Sequence, residues 1–314
     1  MVESKHSWKA WLYLAPAIVL LLVFTVWPII NTVRLAFLED YNSSMAIGGA
    51  TYEFGIRNFA KVLQYKDFIN CLTNTILLCV LTVPLSTILA LLIAVCLKQI
   101  KPLQRALQTI FFLPYVTNSI AIGMVFAAMF NMVGSAFGGE NELIITAGII
   151  NNVIEFFGGQ PINWINSGSA YWANIVVMVV YIVWNALPFK ILILLGGLQS
   201  INTQYYDAAK VDGTRRARVF TRITVPLLSP MLAYVVITGF IGGFKEYSSI
   251  VGIFGEKMGP AGDPGRLNTM VGFIYDALAG DHTGRASAAA LILFGIILVV
   301  TLINLQVSKK NTHY

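Results

Sequence analysis

Charged residues are scarce in this sequence, since only 11% of its 314 residues are Asp, Glu, Lys or Arg. Apolar residues make up 57%, whereas a soluble globular domain has about 45–50%. The mean hydropathy is +0.72. This composition excludes an ordinary soluble domain and predicts a membrane protein.

Cysteine and histidine are also scarce, with three of each. The cysteines are odd in number and show no paired spacing, which argues against both a disulfide framework and a zinc site. The histidines fall in predicted tails or a loop, so a Ser–His dyad inside the membrane is not expected. These residues are Cys71, Cys79 and Cys96, and His6, His282 and His313.

A phosphate-binding GxxxxGK[ST] loop is absent, so the chain is not expected to be an enzyme that hydrolyses ATP itself.

Two other classes of membrane protein remain as alternatives. An ion-coupled secondary transporter would carry carboxylates inside the membrane, but the acids of this chain lie in predicted loops, Glu246 beside the fifth predicted span. An intramembrane aspartyl protease would need a GxGD motif, which neither Asp276 nor Asp281 provides.

Long apolar runs are the main feature that the sequence does have. A membrane-spanning helix needs roughly 20 mostly apolar residues. Six runs meet this condition, and continuous runs of this length favour helices over the alternating strands of a membrane barrel. We therefore predict an all-α membrane protein in which residues 1–314 form a single membrane domain with both termini on one side. The predicted spans are about 11–37, 72–97, 109–133, 171–198, 223–244 and 286–307.

Lysine and arginine are divided unevenly between the two faces that these spans define. The face with both termini carries twelve Lys and Arg residues and three acidic residues. The other face carries seven Lys and Arg residues and twelve acidic residues. Because cytoplasmic loops are enriched in Lys and Arg, both termini are predicted to be cytoplasmic. The net charge of +6 then reflects membrane topology. A lipid environment is expected, and a nucleic-acid partner is not.

Two segments of the outward loops show local patterns. Phe59, Val62 and Phe68 recur at near-helical spacing and predict an amphipathic helix at the outer interface. Residues 138–170 are rich in Gly, Asn and Ser and contain the apolar piece LIITAGIINNVIEFF. Polar residues interrupt this piece, which is interpreted as a re-entrant or surface element.

The segment YYDAAKVDGTRRARVFTRITVP (205–226) carries four arginines and a lysine within thirteen residues. DAAK favours a short helix, and Gly213 suits the left-handed turn after it. Thr214 is then the expected N-cap of a second helix, and Pro226 enters the fifth span. This pattern predicts a cytoplasmic helix-turn-helix bracket, about 203–222, which is called the bracket below.

Small side chains on the bracket allow close approach of a partner surface, and arginines supply charge-assisted hydrogen bonds. Alternatively, the arginines serve only to set the topology or to contact anionic lipid. That alternative does not account for the spacing of the paired alanines Ala208 and Ala209 relative to Gly213.

This spacing resembles the coupling motif of ABC importer permeases: an acidic residue, two alanines, three residues, Gly, nine residues, then Ile-x-Leu-Pro. Asp207 stands in place of the usual Glu, and Val225 in place of the usual Leu. In that family the bracket seats in a cleft of the ATP-hydrolysing subunit. The resemblance implies an ATPase-coupling role for Asp207, Ala208, Ala209, Gly213, Arg215, Arg216 and Pro226.

The resemblance extends over most of the chain and is to the carbohydrate-uptake permeases of the maltose and glycerol-3-phosphate type. The chain is similar to the larger permease of the maltose system without its extra outward domain. GSAFGGENELIITAG (134–148) looks like an insertion. The resemblance implies a type I ABC importer fold with six spans in a bacterial or archaeal cytoplasmic membrane.

Partners and cofactors follow from the same resemblance. It implies a second homologous permease, a dimeric ATP-binding cassette ATPase and an extracytoplasmic sugar-binding protein. ATP and Mg²⁺ are expected on the partner subunits, and no cofactor is expected on this chain. The transported substrate is expected to be a di- or oligosaccharide.

A sugar path requires aromatic faces and groups that hydrogen-bond to hydroxyls. Asn185 and Phe189, four residues apart, share a helix face, although aromatic residues in helices usually serve packing. Lys245 and Glu246 could border the path, or form a local salt bridge; Lys190 has no evident partner. With the family resemblance, the candidate path residues are Tyr115, Ser119, Trp184, Asn185, Ala186, Phe189, Gly239, Gly243, Lys245 and Glu246.

Overall fold

The computed structural model describes residues 7–49, 51–100, 104–137 and 143–311. The first part of the chain contains α1 (Ser7–Leu21), α2 (Trp27–Ala36), α3 (Ser43–Ile47), α4 (Arg57–Gln64), α5 (Lys66–Gln99), α6 (Gln104–Val116) and α7 (Ser119–Phe130). A hairpin of β1 (Met132–Phe137) and β2 (Leu143–Ala147) follows. The remaining helices are α8 (Ile149–Phe156), α9 (Tyr171–Ser200), α10 (Thr203–Val211), α11 (Arg216–Val219), α12 (Val225–Leu227), α13 (Ser229–Phe244), α14 (Ser248–Phe254), α15 (Met270–Ala279) and α16 (Thr283–Asn311).

Four helical stretches in the described residues are long and apolar enough to cross a membrane: Trp11–Ala36, Lys66–Gln99, Tyr171–Ser200 and Thr283–Lys309. The first of these includes a π-helical turn at Leu22–Val26. Two bent helix pairs raise the number to six if each pair counts as one span. The largely helical membrane fold is therefore confirmed.

The predicted third span, 109–133, is not one continuous helix. Helices α6 and α7 meet at an angle of 98°. Asn118 has an extended backbone, and its side chain accepts hydrogen bonds from the amides of Ile120 and Ala121 at 2.9 and 3.4 Å. The side chain thus caps a new helix, which is why the apolar pattern continues while the helix axis turns.

The fifth predicted span also contains a bend. Residues Arg216–Leu227 and Ser229–Phe244 are inclined by 68°. A π-helical turn covers Phe220–Thr224, and proline stands at the first turn of both α12 and α13. Proline suits a first turn but interrupts a helix interior, so the backbone changes direction at Leu228.

The insertion predicted at 134–148 lies in a β-hairpin. β1 and β2 pair antiparallel, with Met132 opposite Ala147 and Phe137 opposite Leu143. The remainder of the apolar piece LIITAGIINNVIEFF forms α8. Residues 138–142 of the insertion lie outside the described residues.

The chain divides into two compact units. The first unit comprises Met1–Ile69 and Phe273–Phe294. Its buried Asn58 donates hydrogen bonds to the carbonyls of Ala36 and Leu38 at 3.0 and 2.7 Å. The predicted amphipathic helix is present as α4 with the start of α5, and it buries Val62 and Phe68 as expected.

The second unit comprises Asn70–Gly272 and Gly295–Tyr314. One buried cluster centres on Met178 and Tyr181 of α9 and also includes Ile250 of α14. Helices α7 and α14 cross closely at two glycines, because a Cβ atom at Gly123 would lie only 2.7 Å from the Cα of Gly252. Small residues at such crossings let helix backbones pack in a lipid environment.

Candidate functional site

A cavity of about 300 Å³ lies within the second unit. It is bounded by side chains from α5, α6, α9 and α13 and is called the four-helix cavity. Seven of the ten candidate path residues line it, from three different helices and the segment after α13. The lining residues are Thr82, Val83, Ser86, Tyr115, Ile182, Asn185, Ala186, Phe189, Lys190, Thr238, Gly239, Gly242, Gly243 and Glu246.

An aromatic pair forms part of the cavity wall. The rings of Tyr115 and Phe189 are stacked, with centroids 5.9 Å apart and an interplanar angle of 18°. Asn185 lies one helical turn before Phe189, so an amide stands beside the aromatic faces. This wall can offer both ring stacking and hydrogen bonding to a ligand.

Lys190 crosses from α9 to α5. Its ammonium group donates hydrogen bonds to Ser86 Oγ at 2.7 Å, Thr87 Oγ1 at 2.9 Å and the Val83 carbonyl at 3.2 Å. In the described part of the chain it forms no ion pair with a carboxylate. Three oxygen acceptors satisfy its three donors, which holds the Lys190 side chain in place beside the cavity.

Glu246 and Lys245 have different environments. A Glu246 carboxylate oxygen accepts a hydrogen bond from the Ser249 amide at 3.1 Å, and its backbone carbonyl accepts one from Thr269 at 2.8 Å. Burial raises the pKa of the Glu246 carboxyl group, although the hydrogen bonds from Ser249 oppose this shift. Lys245 is exposed and does not line the cavity; no ion pair joins it to Glu246 among the described residues.

Ser119 and Trp184 are the other two candidate path residues that do not line the four-helix cavity. The Ser119 hydroxyl lies 3.0 Å from the Tyr181 hydroxyl. Trp184 packs against Phe126 with ring centroids 5.2 Å apart, at the edge of the main buried cluster. Both residues therefore contribute to helix packing in this structure.

Three glycines of α13 line the cavity and have different surroundings. A Cβ atom at Gly239 would lie 3.1 Å from Val83 Cγ1, and one at Gly243 would lie 2.8 Å from Cys79 Sγ. Gly242 has no atom within 4 Å of such a Cβ position. Two of the glycines thus permit close helix packing, and Gly242 faces open space.

The segment predicted as the bracket contains two helices, α10 and the short α11, joined by a turn. Asn202 caps α10 by accepting a hydrogen bond from the Gln204 amide at 3.0 Å. Gly213 has a φ of +66°, as expected from its position after the helix, and the Thr214 amide donates to the Ala209 carbonyl at 3.0 Å. Arg215, not Thr214, occupies the N-cap of α11, since its extended backbone immediately precedes the helix.

The candidate coupling residues occupy different positions around the bracket. Asp207, Ala208, Gly213, Arg215 and Arg216 are exposed. Ala209 is instead buried, with 6% of its surface accessible, and Pro226 lies in α12. Only part of the paired-alanine motif therefore faces outward.

Contacts join the bracket to the ends of two long helices. Lys98 of α5 donates a hydrogen bond to the Leu198 carbonyl of α9 at 2.8 Å. The same ammonium lies 4.4 Å from the ring centroid of Tyr206 in α10. The Tyr206 hydroxyl lies 3.3 Å from Thr224 Oγ1. Lys98 thus contacts both the end of α9 and the first bracket helix.

A second cavity of about 840 Å³, called the bracket cavity, adjoins these contacts. Lys98, Tyr206 and Thr224 border it, together with the candidate coupling residues Asp207, Gly213 and Arg216. It follows that these three candidates lie around one concave surface.

The family described as the binding-protein-dependent transport system inner membrane component matches residues 75–313. The chain belongs to this family. The match covers the four-helix cavity and the bracket completely.

Curated relatives of this inner membrane component extend over nearly the whole chain. The lactose transport system permease protein of Rhizobium radiobacter is 28% identical and covers 96% of this chain and 94% of its own length. The arabinooligosaccharides transport system permease protein of Bacillus subtilis is 28% identical, covering 96% and 90%. The trehalose/maltose transport system permease protein of Thermococcus litoralis is 28% identical, covering 98% and 96%.

A solved structure has the same fold as this inner membrane component. It is a bacterial ABC transporter involved in import of the acidic polysaccharide alginate, with a TM-score of 0.77, 21% identity and coverage of 98% of both chains. At that identity the likeness concerns the fold.

Several residues that line the four-helix cavity were not predicted from the sequence. Thr82 and Ser86 are polar and four residues apart within an apolar span, a signal that would have placed them on one buried face. Gly242 and Thr238 extend the face that holds Gly239 and Gly243. The sequence shows no partner for Lys190, because its acceptors lie about a hundred residues away in the chain.

Proposed function

We propose that this chain is a permease subunit of a binding-protein-dependent ABC importer that takes up a di- or oligosaccharide. It forms half of the translocation path in a bacterial or archaeal cytoplasmic membrane, with both termini in the cytoplasm. A second homologous permease completes the path, and an extracytoplasmic binding protein delivers the sugar. The family membership and the sugar-transport names of the relatives support this proposal.

The observation that carries the proposal is that the same two helices, α5 and α9, border the four-helix cavity and contact the bracket region. Helix α5 contributes Ser86 to the four-helix cavity and Lys98 to the bracket contacts. Helix α9 contributes Phe189 to the cavity, and its Leu198 carbonyl accepts the hydrogen bond from Lys98. Movement of the bracket can thus displace two helices that line the cavity.

The cavity lining supports a sugar as the cargo. Stacked aromatic rings contact the apolar faces of sugar rings, while amide and hydroxyl groups bond to sugar hydroxyls. Tyr115 and Phe189 provide the rings, and Asn185 and Thr82 provide the polar groups.

Energy enters through the bracket. ATP and Mg²⁺ bind to the partner ATPase subunits and supply the energy of nucleotide hydrolysis there. The exposed face of the bracket, with Asp207 and Ala208, docks on such a subunit, and the arginines at the start of α11 strengthen the contact by charge-assisted hydrogen bonds.

The test is co-purification of the tagged full chain in gentle detergent, comparing wild type with Gly213→Val and Gly158→Val. Both glycines have positive φ angles, +66° and +79°, and a Cβ atom added at either would have no other atom within 4 Å. A β-branched residue at either position therefore introduces similar backbone strain, about 1–2 kcal/mol. Only Gly213 lies in the bracket.

We expect wild type and Gly158→Val to recover a second permease and an ATPase, and Gly213→Val to lose the ATPase while still inserting in the membrane. The recovered complex, with its binding protein in proteoliposomes, should take up lactose, trehalose, maltose or an arabinooligosaccharide only with ATP. Isolation of the chain alone, with uptake driven by an ion gradient, would contradict the proposal.

A further inference from the structure

Helix α13 presents one continuous face to the four-helix cavity. Thr238 and Gly242 line the cavity and are four residues apart. Tyr234 lies four residues before Thr238, so it shares this face. The Thr238 hydroxyl donates a hydrogen bond of 2.7 Å to the Tyr234 carbonyl one turn earlier in α13. Its proton is thus used within the helix. The cavity-lining face therefore continues by one helical turn to Tyr234.

Tyr234 contacts the aromatic wall directly. Its ring centroid lies 6.5 Å from that of Phe189, with an interplanar angle of 47°. Phe189 in turn stacks with Tyr115 at 5.9 Å. Three rings from α6, α9 and α13 thus form one aromatic strip, defined as Tyr115, Phe189 and Tyr234.

The two tyrosine rings of this strip are only half covered by the rest of the chain. Tyr234 is 48% exposed and Tyr115 is 52% exposed. The Tyr234 ring can stack while its hydroxyl donates or accepts a hydrogen bond. Because α13 begins at Ser229, directly after the bracket and α12, Tyr234 lies on the bracket side of Thr238 along the helix.

We propose that Tyr234 forms a further sugar-binding subsite beside the four-helix cavity on its bracket side. A sugar ring stacks on Tyr234 while the preceding ring of the same molecule occupies the wall formed by Tyr115 and Phe189. The substrate class is then an oligosaccharide long enough to span both positions. This inference rests on the proposed function and deepens it.

The experiment measures ATP-dependent uptake by the complete transporter in proteoliposomes for sugars of increasing length. The probes are maltose, maltotriose and maltotetraose, and arabinose oligomers of two to four units. Wild type is compared with Tyr234→Ala, Tyr234→Phe and Tyr13→Ala. Tyr13 is 81% exposed on α1 and is absent from the lining of both cavities, so its variant controls for removal of an exposed tyrosine ring.

We expect Tyr234→Ala to reduce kcat/KM for the longer transported sugars by about three- to tenfold, the value of one aromatic contact. The reduction should be smaller for the disaccharide of the same series, which can bind at the wall alone. Tyr234→Phe keeps the ring and should stay near wild type, as should Tyr13→Ala. If Tyr234→Ala does not assemble, Tyr234→Leu serves as the variant without a ring.

An equal loss for every chain length, or no loss, would overturn the subsite. A matching loss in Tyr13→Ala would overturn it as well. If the wild-type complex takes up none of these sugars with ATP, the proposed function fails and the subsite fails with it. If wild type takes up these sugars with ATP but the loss in Tyr234→Ala does not depend on sugar length, only the subsite is contradicted and the proposed function stands.

Discussion

At the residue scale, substitution of Gly242 tests whether the four-helix cavity is part of the sugar path. Replacement by Leu places a side chain in the open space of the four-helix cavity, where the added Cβ meets no other atom within 4 Å. We expect Gly242→Leu to assemble normally and to reduce sugar uptake by roughly tenfold or more, since even one methylene group in a pocket is worth about 1–3 kcal/mol.

The matched control is Gly196→Leu in α9. A Cβ atom at Gly196 would also have no other atom within 4 Å, but Gly196 does not line the cavity. Both variants carry the same change of helix propensity and volume. Equal uptake by Gly242→Leu and Gly196→Leu would exclude the four-helix cavity from the path.

Lys190 gives a second prediction at this scale. Lys190→Met removes the ammonium group and, with it, the free-energy cost of burying that group. Removal of its hydroxyl acceptors instead leaves the buried ammonium without two of its three hydrogen-bond partners. Lys190→Met should therefore keep the melting temperature of the purified complex near that of wild type. Ser86→Ala combined with Thr87→Val leaves the ammonium only the Val83 carbonyl and should destabilise the protein by about 1.5–3 kcal/mol for each hydrogen bond lost. The reverse order of melting temperatures would contradict this account.

At the element scale, Lys98 connects the bracket to α5 and α9. Lys98→Met removes the hydrogen bond to the Leu198 carbonyl and the contact with the Tyr206 ring. A cation over an aromatic ring contributes about 0.5–2 kcal/mol. We expect the complex to assemble but to hydrolyse more ATP for each sugar imported, because bracket movement reaches the cavity helices less efficiently.

Lys98→Arg is the control for this connection, since arginine keeps a cation that can donate to the carbonyl and stack on the ring. It should restore most of the coupling that Lys98→Met loses. Parallel measurement of ATPase activity and uptake distinguishes loss of coupling from loss of protein. An unchanged ratio of ATP to sugar in Lys98→Met would show that the connection does not transmit movement.

At the scale of the whole molecule, the asymmetry of Lys and Arg predicts the orientation in the membrane. In a variant without its three native cysteines, Lys210→Cys and Gln160→Cys introduce exposed thiols in the bracket and in the loop before α9. A membrane-impermeant thiol reagent added to intact cells should label only the Gln160→Cys variant. Labelling of only the Lys210→Cys variant would invert the proposed topology.

Local signals in the sequence predicted where the apolar helices lie, but not the bends within the third and fifth predicted spans. The turn at Gly213 was predictable because only glycine readily adopts its backbone conformation. The change of direction at Asn118 was missed, since the apolar run continues through a polar residue that caps the next helix. Of the path candidates, Trp184 and Ser119 lie at packing contacts, because helical spacing does not show which neighbour a face meets.

Local patterns along the chain are enough to predict a helical membrane protein with a basic bracket after its fourth apolar run. Runs of apolar residues, charge asymmetry and a glycine at a turn are local properties, readable without any partner. The contact of Lys190 with Ser86, the stacking of Tyr115 on Phe189 and the open space at Gly242 depend on how distant helices pack. Helices in lipid gain little from hydrophobic burial against one another, so close packing and hydrogen bonds between distant segments select which faces meet.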